Sequence, residues 1–318
     1  MKKVISISEQ FAIGKVLDVS EYGSGIVNDT YLVENTSGQK FILQKQHELI
    51  GKEVLEDIEA VTKRLESSDI LTPKLIRNNS GELYIEKEGY IWRVLTFVEG
   101  KSYEKLSDLQ LVKSAGEIIG NFHCSLIGFQ YHFKHEIPQF HDTEYIISKL
   151  QNITSKNQGN KEYQQLNQLS DYINNEHKSV RGVLDHLPDR IIHGDLKLSN
   201  IRFNENQTKA ICLLDLDTLG RNKIVIDLGD AIRSFCNTQN KFDLEIFRSL
   251  MEGYFNSVSF LTHEEIDHIP AGIKTIVLEL AARYITDAIE EKYFKLEEMK
   301  FPTLYVQNTT KAQSLISL

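Results

Sequence analysis

Ile191-Ile192-His193-Gly194-Asp195-Leu196-Lys197-Leu198-Ser199-Asn200 sets an imidazole, a carboxylate and an amide behind an apolar, strand-like entry. Further on, Leu213-Leu214-Asp215-Leu216-Asp217 delivers two more carboxylates at the end of a second apolar run. Phosphoryl transfer to a hydroxyl needs such a set. One carboxylate accepts or orients the proton of the attacking hydroxyl. An amide oxygen and a second carboxylate hold Mg²⁺ across the nucleotide phosphates. Asp195 stands where the base would be, and Asn200 and Asp215 where the metal ligands would be. Magnesium takes oxygen ligands, few of them from protein. A loop with polar caps explains His-x-Asp-x-x-x-x-Asn taken alone. The apolar strands on both sides and the spaced carboxylates favour catalysis.

Certain elements must position these groups. Thr30–Val33 and Lys40–Gln44 are β-rich runs split by the turn Asn35-Thr36-Ser37-Gly38. Val54, Leu55, Ile58, Val61 and Leu65 recur at helical spacing. Leu83–Ile85 and Tyr90–Val98 read as a hairpin around Glu86–Gly89, with Trp92 in the core. After Glu99-Gly100-Lys101 the pattern turns helical, and Leu109–Leu126 is amphipathic. A polar stretch, 153–180, is expected to hold a helix around Glu162–Tyr172. Asn200–Phe203 and Ala210–Leu214 are short strands, and helical periodicity dominates from Lys241 onward. A β-rich region, 1–98, therefore precedes a larger α-rich region, 99–318.

Composition narrows the function classes. The chain has 318 residues, 41% of them hydrophobic, and a formal net charge of −9. It is too apolar for a disordered chain. The acidic balance argues against nucleic acid and anionic membranes as partners. Cys124, Cys212 and Cys236 are scattered and suggest neither a disulfide framework nor a zinc ribbon. His132 and His135 have no further cluster to join. No apolar run is long enough to span a bilayer, and no signal segment is evident, so a soluble cytoplasmic protein is expected.

The two loops resemble the catalytic and metal-binding loops of the aminoglycoside phosphotransferase and choline kinase superfamily. Gly194 stands where protein kinases have Arg, and Asp227-Leu228-Gly229-Asp230 follows too soon for an activation loop. The resemblance implies an α+β, bilobal, protein-kinase-like fold: residues 1–98 a nucleotide-binding lobe and 99–318 the catalytic and substrate-binding lobe. It implies ATP and Mg²⁺ as cofactors and a small-molecule hydroxyl, of a sugar or an aminoglycoside, as acceptor. Gly23-Ser24-Gly25 through Asn28 would cover the phosphates with backbone N–H groups, or else form a plain hairpin turn. Phe97 and Val98 resemble the hinge that holds adenine. The basic residue of the third strand is open between positions 44 and 45. The resemblance puts it where Gln44 stands, Lys45 follows, and alternation places the two on opposite faces. Glu56 matches the partner glutamate, or is a solvated helix charge. His193 is read as structural, and Asp227 and Asp230 as tying down the catalytic loop or capping a helix over Ala231–Phe235.

Further segments resemble N-acetylhexosamine 1-kinases: Asn28-Asp29-Thr30-Tyr31, Ile137-Pro138-Gln139-Phe140-His141-Asp142-Thr143, Asp215-Leu216-Asp217-Thr218 and Leu278–Asp287. Such sugar kinases often carry His-Asn-Asp where this chain has His193-Gly194-Asp195. Glu279, Arg283 and Asp287 share one helix face by spacing. They form either an exposed salt-bridged stripe or, for Arg283 and Glu279, a substrate-binding edge beside Asp195. The leading expectation is a sugar 1-kinase. The alternatives are an aminoglycoside, homoserine or choline O-phosphotransferase, and a nucleotide-binding scaffold that has lost transfer.

Overall fold

The computed structural model describes residues 2–23, 28–47, 50–160 and 163–318. Branched and aromatic residues near the start of the chain make strands β1 (Val16–Glu21), β2 (Asp29–Asn35), β3 (Lys40–Lys45), β4 (Leu75–Ile76), β5 (Ile85–Lys87) and β6 (Tyr90–Thr96). They form one antiparallel sheet in the order β1-β2-β3-β6-β4, with β5 paired to β6. Alternation gives each strand two faces. Val33, Leu43, Trp92 and Val94 pack on one face with Val4, Ile7 and Phe11 around helix α1 (Lys2–Ser8). Thr30, Gln44 and Arg93 are register partners across β2, β3 and β6, so they share the other face.

Helix α2 (Val54–Glu66) has the expected stripe of Val54, Leu55, Ile58, Val61 and Leu65. These residues belong to the same core as Leu111, Ile119, Leu196 and Ile201, not to the core around α1. A buried carboxylate anchors the helix. Asp57 accepts hydrogen bonds from the Tyr131 hydroxyl and from the backbone N–H groups of Lys134 and His135, each at 2.9 Å.

The rest of the chain is mainly helical. Helix α3 (Leu109–Leu126) has the bounds expected, and the Asp108 carboxylate caps its first N–H groups. Then come α4 (Thr143–Lys156), α5 (Gln164–His177), β7 (Asp189–Ile192), β8 (Ile201–Phe203), β9 (Ala210–Leu213), β10 (Gly220–Lys223) and α6 (Ile224–Phe235). The chain continues through β11 (Asn237–Thr238), β12 (Lys241–Phe242), α7 (Leu244–Ser257), α8 (His263–Asp267), α9 (Ile269–Glu290) and α10 (Leu304–Ile316). The polar stretch does hold a helix, α5, because Leu166 and Ile173 give it a buried edge; Glu162 lies outside the described residues. Helix α6 starts at Ile224, so Asp227 and Asp230 lie within it and cap nothing at its start.

The sheet is stapled to the helical part just past β6. Lys101 and Phe203 exchange backbone hydrogen bonds of 2.8 Å in both directions. Gly100 makes room for this at φ 129°, where an added Cβ would meet the Phe203 carbonyl oxygen at 2.0 Å. Asp57→Ala would strand the donors of the 131–135 segment. It should cost about 2–4 kcal/mol of stability, read as a lowered urea midpoint with an unchanged slope.

Candidate active site

Strand β7 delivers His193-Gly194-Asp195 to the cleft, and α6 clamps it there. Asp227 accepts the backbone N–H groups of His193 and Gly194, each at 2.8 Å. His123 donates Nε2–H to the same carboxylate at 3.0 Å, and its other nitrogen meets the Tyr254 hydroxyl at 3.1 Å. Burial works against the Asp227 charge, but His123 and these N–H groups outweigh it and hold the carboxyl below its ordinary value. Asp227 thus ties down the loop, as expected. Gly194 sits at φ +83°, and a Cβ there would fall 2.4 Å from the Thr218 carbonyl oxygen. Only glycine fits so close a crossing of two loops.

His193 is structural. Its Nε2–H donates to the Leu214 carbonyl at 2.9 Å, and its own carbonyl accepts the Thr218 hydroxyl at 2.8 Å. Asp215, next along, takes the left-handed backbone at φ 62°. The candidate catalytic and metal loops are therefore fixed to each other.

Asp195, Asn200 and Asp215 converge as the sequence suggests. The Asn200 amide donates to the Asp195 carbonyl and to its Oδ2, at 2.9 and 3.0 Å. Lys197 donates to the same Oδ2 at 2.6 Å. Sequence reasoning passed over Lys197, although it lies two residues from the candidate base. Burial pushes the Asp195 carboxyl up, but Lys197 and then His193 outweigh it, so Asp195 stays ionised. Asp215 behaves differently: burial, then Asp217, raise it to about 6. A buried carboxylate crowded by other carboxylates suits a site that a cation completes. With its Nδ2 used inward, Asn200 keeps Oδ1 for that cation. The donors are the hard oxygens that Mg²⁺ prefers, so Asn200 and Asp215 fit the ion.

The nucleotide side departs from expectation. Lys45 lies on the outer face of the sheet, its Nζ 3.5 Å from the centroid of Tyr90 and 3.6 Å from Asp29. Its partner Glu56 is exposed and paired with Lys134 instead. Lys45 and Glu56 therefore do not stand as cofactor-binding residues here: the alternation of β3 turns Lys45 away, and α2 presents Glu56 to the surface as a solvated helix charge, the alternative that the sequence leaves open. Gln44 faces the cleft, donating to Thr30 at 3.3 Å and accepting from Arg93 Nε at 2.9 Å. Arg93, 2% exposed, pairs with both oxygens of Asp217, 4% exposed, at 2.5 and 2.8 Å. Asn28 adds a bond of 2.8 Å to Asp217. Gly23 has φ +77°, whereas Ser24 and Gly25 lie outside the described residues. At the segment read as the hinge, the Val98 carbonyl accepts Arg202 Nε–H at 3.0 Å, and the Phe97 ring packs edge-on to Tyr22 at 5.7 Å.

On the acceptor side, Glu279 is buried and paired, not part of an exposed stripe. It accepts from the Thr143 hydroxyl and from His141 Nδ1–H, the latter at 2.9 Å. His141 Nε2 donates to the Gly194 carbonyl at 2.9 Å. Both neighbours only accept, so both ring nitrogens carry protons and His141 is a cation. Burial opposes that charge, but Glu279 and the Gly194 carbonyl raise the imidazole's pKa, while His141 holds Glu279 below its ordinary value. Arg283 lies over the Phe140 ring at 5.1 Å. Asp287 binds the backbone N–H groups of Lys292, Tyr293 and Phe294 and the Asn308 amide, a structural role. No helix among the described residues is long and apolar enough to cross a membrane.

Residues 18–256 match the profile of a family described as the phosphotransferase enzyme family. Among solved structures, the amicoumacin kinase hAmiN in complex with AMP-PNP, Ca²⁺ and Ami aligns with a TM-score of 0.71 at 14% identity, covering 99% of this chain and 92% of that one. The GDP and kanamycin complex of APH(2″)-IIia aligns at 0.67 and 15%, covering 99% and 98%. A choline/ethanolamine kinase family protein from Mesorhizobium loti aligns at 0.62 and 15%, covering 100% and 99%.

The His141 pair has a titration signature. Its pKa is raised, so its contribution to stability is present below the unfolded histidine's value near 6.5 and lost as pH rises through the folded value. The His141 imidazole resonance in NMR should titrate above 6.5, and Glu279→Gln should bring it below.

Proposed function

The chain belongs to the phosphotransferase enzyme family and is a small-molecule kinase of that family; we propose that it transfers the γ-phosphate of ATP to the anomeric hydroxyl of an N-acetylhexosamine or related sugar. Asp195 orients that hydroxyl and takes its proton as the oxygen attacks phosphorus. The bond from the γ-phosphorus to the β–γ bridging oxygen breaks, and ADP leaves. Mg²⁺ held by Asn200 and Asp215 would neutralise charge on the phosphate oxygens. Lys197, on the Asp195 carboxylate, keeps the base ionised and placed.

One observation carries the choice of acceptor. The 137–143 segment, which resembles sugar 1-kinases, is built into the wall next to Asp195. His141 joins the Gly194 carbonyl to Glu279, and Phe140 lies under Arg283. A wall that ends in a guanidinium over an aromatic ring suits a polyol, whose hydroxyls bond the fork while a ring face packs on carbon. Glu279 supports this wall through His141 and does not itself meet the sugar. The second reading, an aminoglycoside acceptor, draws on the net charge of −9, which suits a cationic substrate, and on the kanamycin complex of a protein of like fold.

ADP release should be measured against N-acetylglucosamine, N-acetylgalactosamine, glucose, homoserine, choline and kanamycin. Turnover on an N-acetylhexosamine is the expected result, and turnover on kanamycin alone would replace the acceptor while keeping the reaction. Asp195→Asn should lower kcat by about 10²–10⁴-fold. Near-wild-type turnover in that variant would remove Asp195 as the base.

A further inference from the structure

A nucleoside triphosphate brings several negative charges into a cleft that already holds Asp195, Asp215 and Asp217. Positive groups have to meet them, and β3 supplies none: Gln44 faces the cleft and Lys45 is turned to the outer face. A guanidinium does stand in that place. Arg93 is the register partner of Gln44 on the adjacent strand, and the row Thr30–Gln44–Arg93 runs across β2, β3 and β6 on the cleft face. We propose that Arg93 is the side chain that binds the nucleotide's phosphates, the cation of the sheet having moved one strand over from β3 to β6.

Three features support this placement. The first is where Arg93 is held: its partner Asp217 lies two residues beyond the candidate metal ligand Asp215, so the cation sits beside the metal loop. The second is donor count. A guanidinium has five N–H donors. Gln44 takes Nε–H, and the two oxygens of Asp217 take one N–H from each terminal nitrogen. Among the described residues the second N–H on each terminal nitrogen has no further hydrogen-bond partner, which leaves it for phosphate oxygens. The third is rigidity. The Gln44 and Asp217 bonds fix the plane of the fork before any ligand arrives, so little side-chain entropy is lost on binding. Asn28, on the same Asp217, ties the start of β2 into the arrangement.

The inference rests on the nucleotide half of the proposed function and is independent of the acceptor. Calorimetry with Mg²⁺ and AMP-PNP, ADP or adenosine, on the full chain, tests it. Arg93→Met should weaken AMP-PNP about 10- to 100-fold and leave adenosine within about twofold, the loss of one charge-assisted phosphate contact. Gln44→Lys in the Arg93→Met background should recover at least about tenfold of the AMP-PNP affinity, by restoring a cation on the neighbouring strand. Arg93→Met with wild-type AMP-PNP affinity would overturn the proposal. So would equal losses for AMP-PNP and adenosine, or a double variant no better than Arg93→Met, since a fold defect moves both ligands and is not repaired by a lysine on β3. Arg93-dependent AMP-PNP binding without turnover on any acceptor would keep this inference and overturn the proposed reaction. No AMP-PNP binding by the wild-type chain would overturn both.

Discussion

The site depends on one buried carboxylate. Asp227 projects from α6 into the back of the catalytic loop and takes the N–H groups of two successive residues, His193 and Gly194. Burying a charge is costly unless it is hydrogen-bonded and paired. Here the His123 imidazole and two loop amides meet that cost together. The loop gains a fixed backbone at the residue before Asp195, and through His193 the hold reaches Leu214 and so Asp215. Ser234, two turns further along α6, accepts the Leu198 N–H at 2.9 Å and fixes the far end of the loop. Candidate base and metal ligands thus owe their mutual placement to one face of one helix.

Charge in the cleft follows a consistent pattern. Among the described residues, each carboxylate of the candidate site except Asp215 has a cation in contact: Lys197 on Asp195, Arg93 on Asp217, Arg233 on Asp230 and His141 on Glu279. Asp215 is raised by burial and by its acidic neighbours, with no cation in contact to oppose them, and Asp230 is raised by burial in spite of Arg233. A buried carboxylate with no cation in contact suits a position that a metal ion completes. Asp230 adds a second incomplete group, since one of its oxygens is buried without a partner while the other binds Arg233.

What was legible in the sequence was local. His193 through Asn200 and Asp215 could be read because a strand, a tight turn and a second strand fix their relation within a short span of backbone. The helices at 54–66 and 109–126 announced themselves by apolar spacing. What could not be read joins distant residues. Arg93 meets Asp217 across 124 positions and His141 meets Glu279 across 138, and no periodicity reports such pairs. Positions 44 and 45 stay open in the sequence because the two-residue period of β3 puts them on opposite faces without saying which face meets the cleft; the register with Thr30 and Arg93 decides it. Glu279 and Arg283 share a helix face as their spacing requires, yet spacing could not show that Thr143 and His141 already occupy the glutamate. Strand β10, Gly-Arg-Asn-Lys, has little β propensity and exists because β7 lies beside it.

The division of the chain and the division of its cores do not coincide. Helix α2 lies between two strands of the sheet in sequence, yet its apolar stripe belongs to the core of the helical part, and Asp57 grips the 131–135 segment. The sheet has a second core of its own around α1. A cut at the hinge would separate α2 from Leu111, Ile119, Leu196 and Ile201 and leave its stripe only sheet-side members of that core such as Leu75, Leu83 and Ile91. The two halves are therefore not interchangeable modules. Grafting the sheet of one relative onto the helices of another would have to carry α2 and its receiving surface as a single matched unit, the seam running around the helix and not through the hinge.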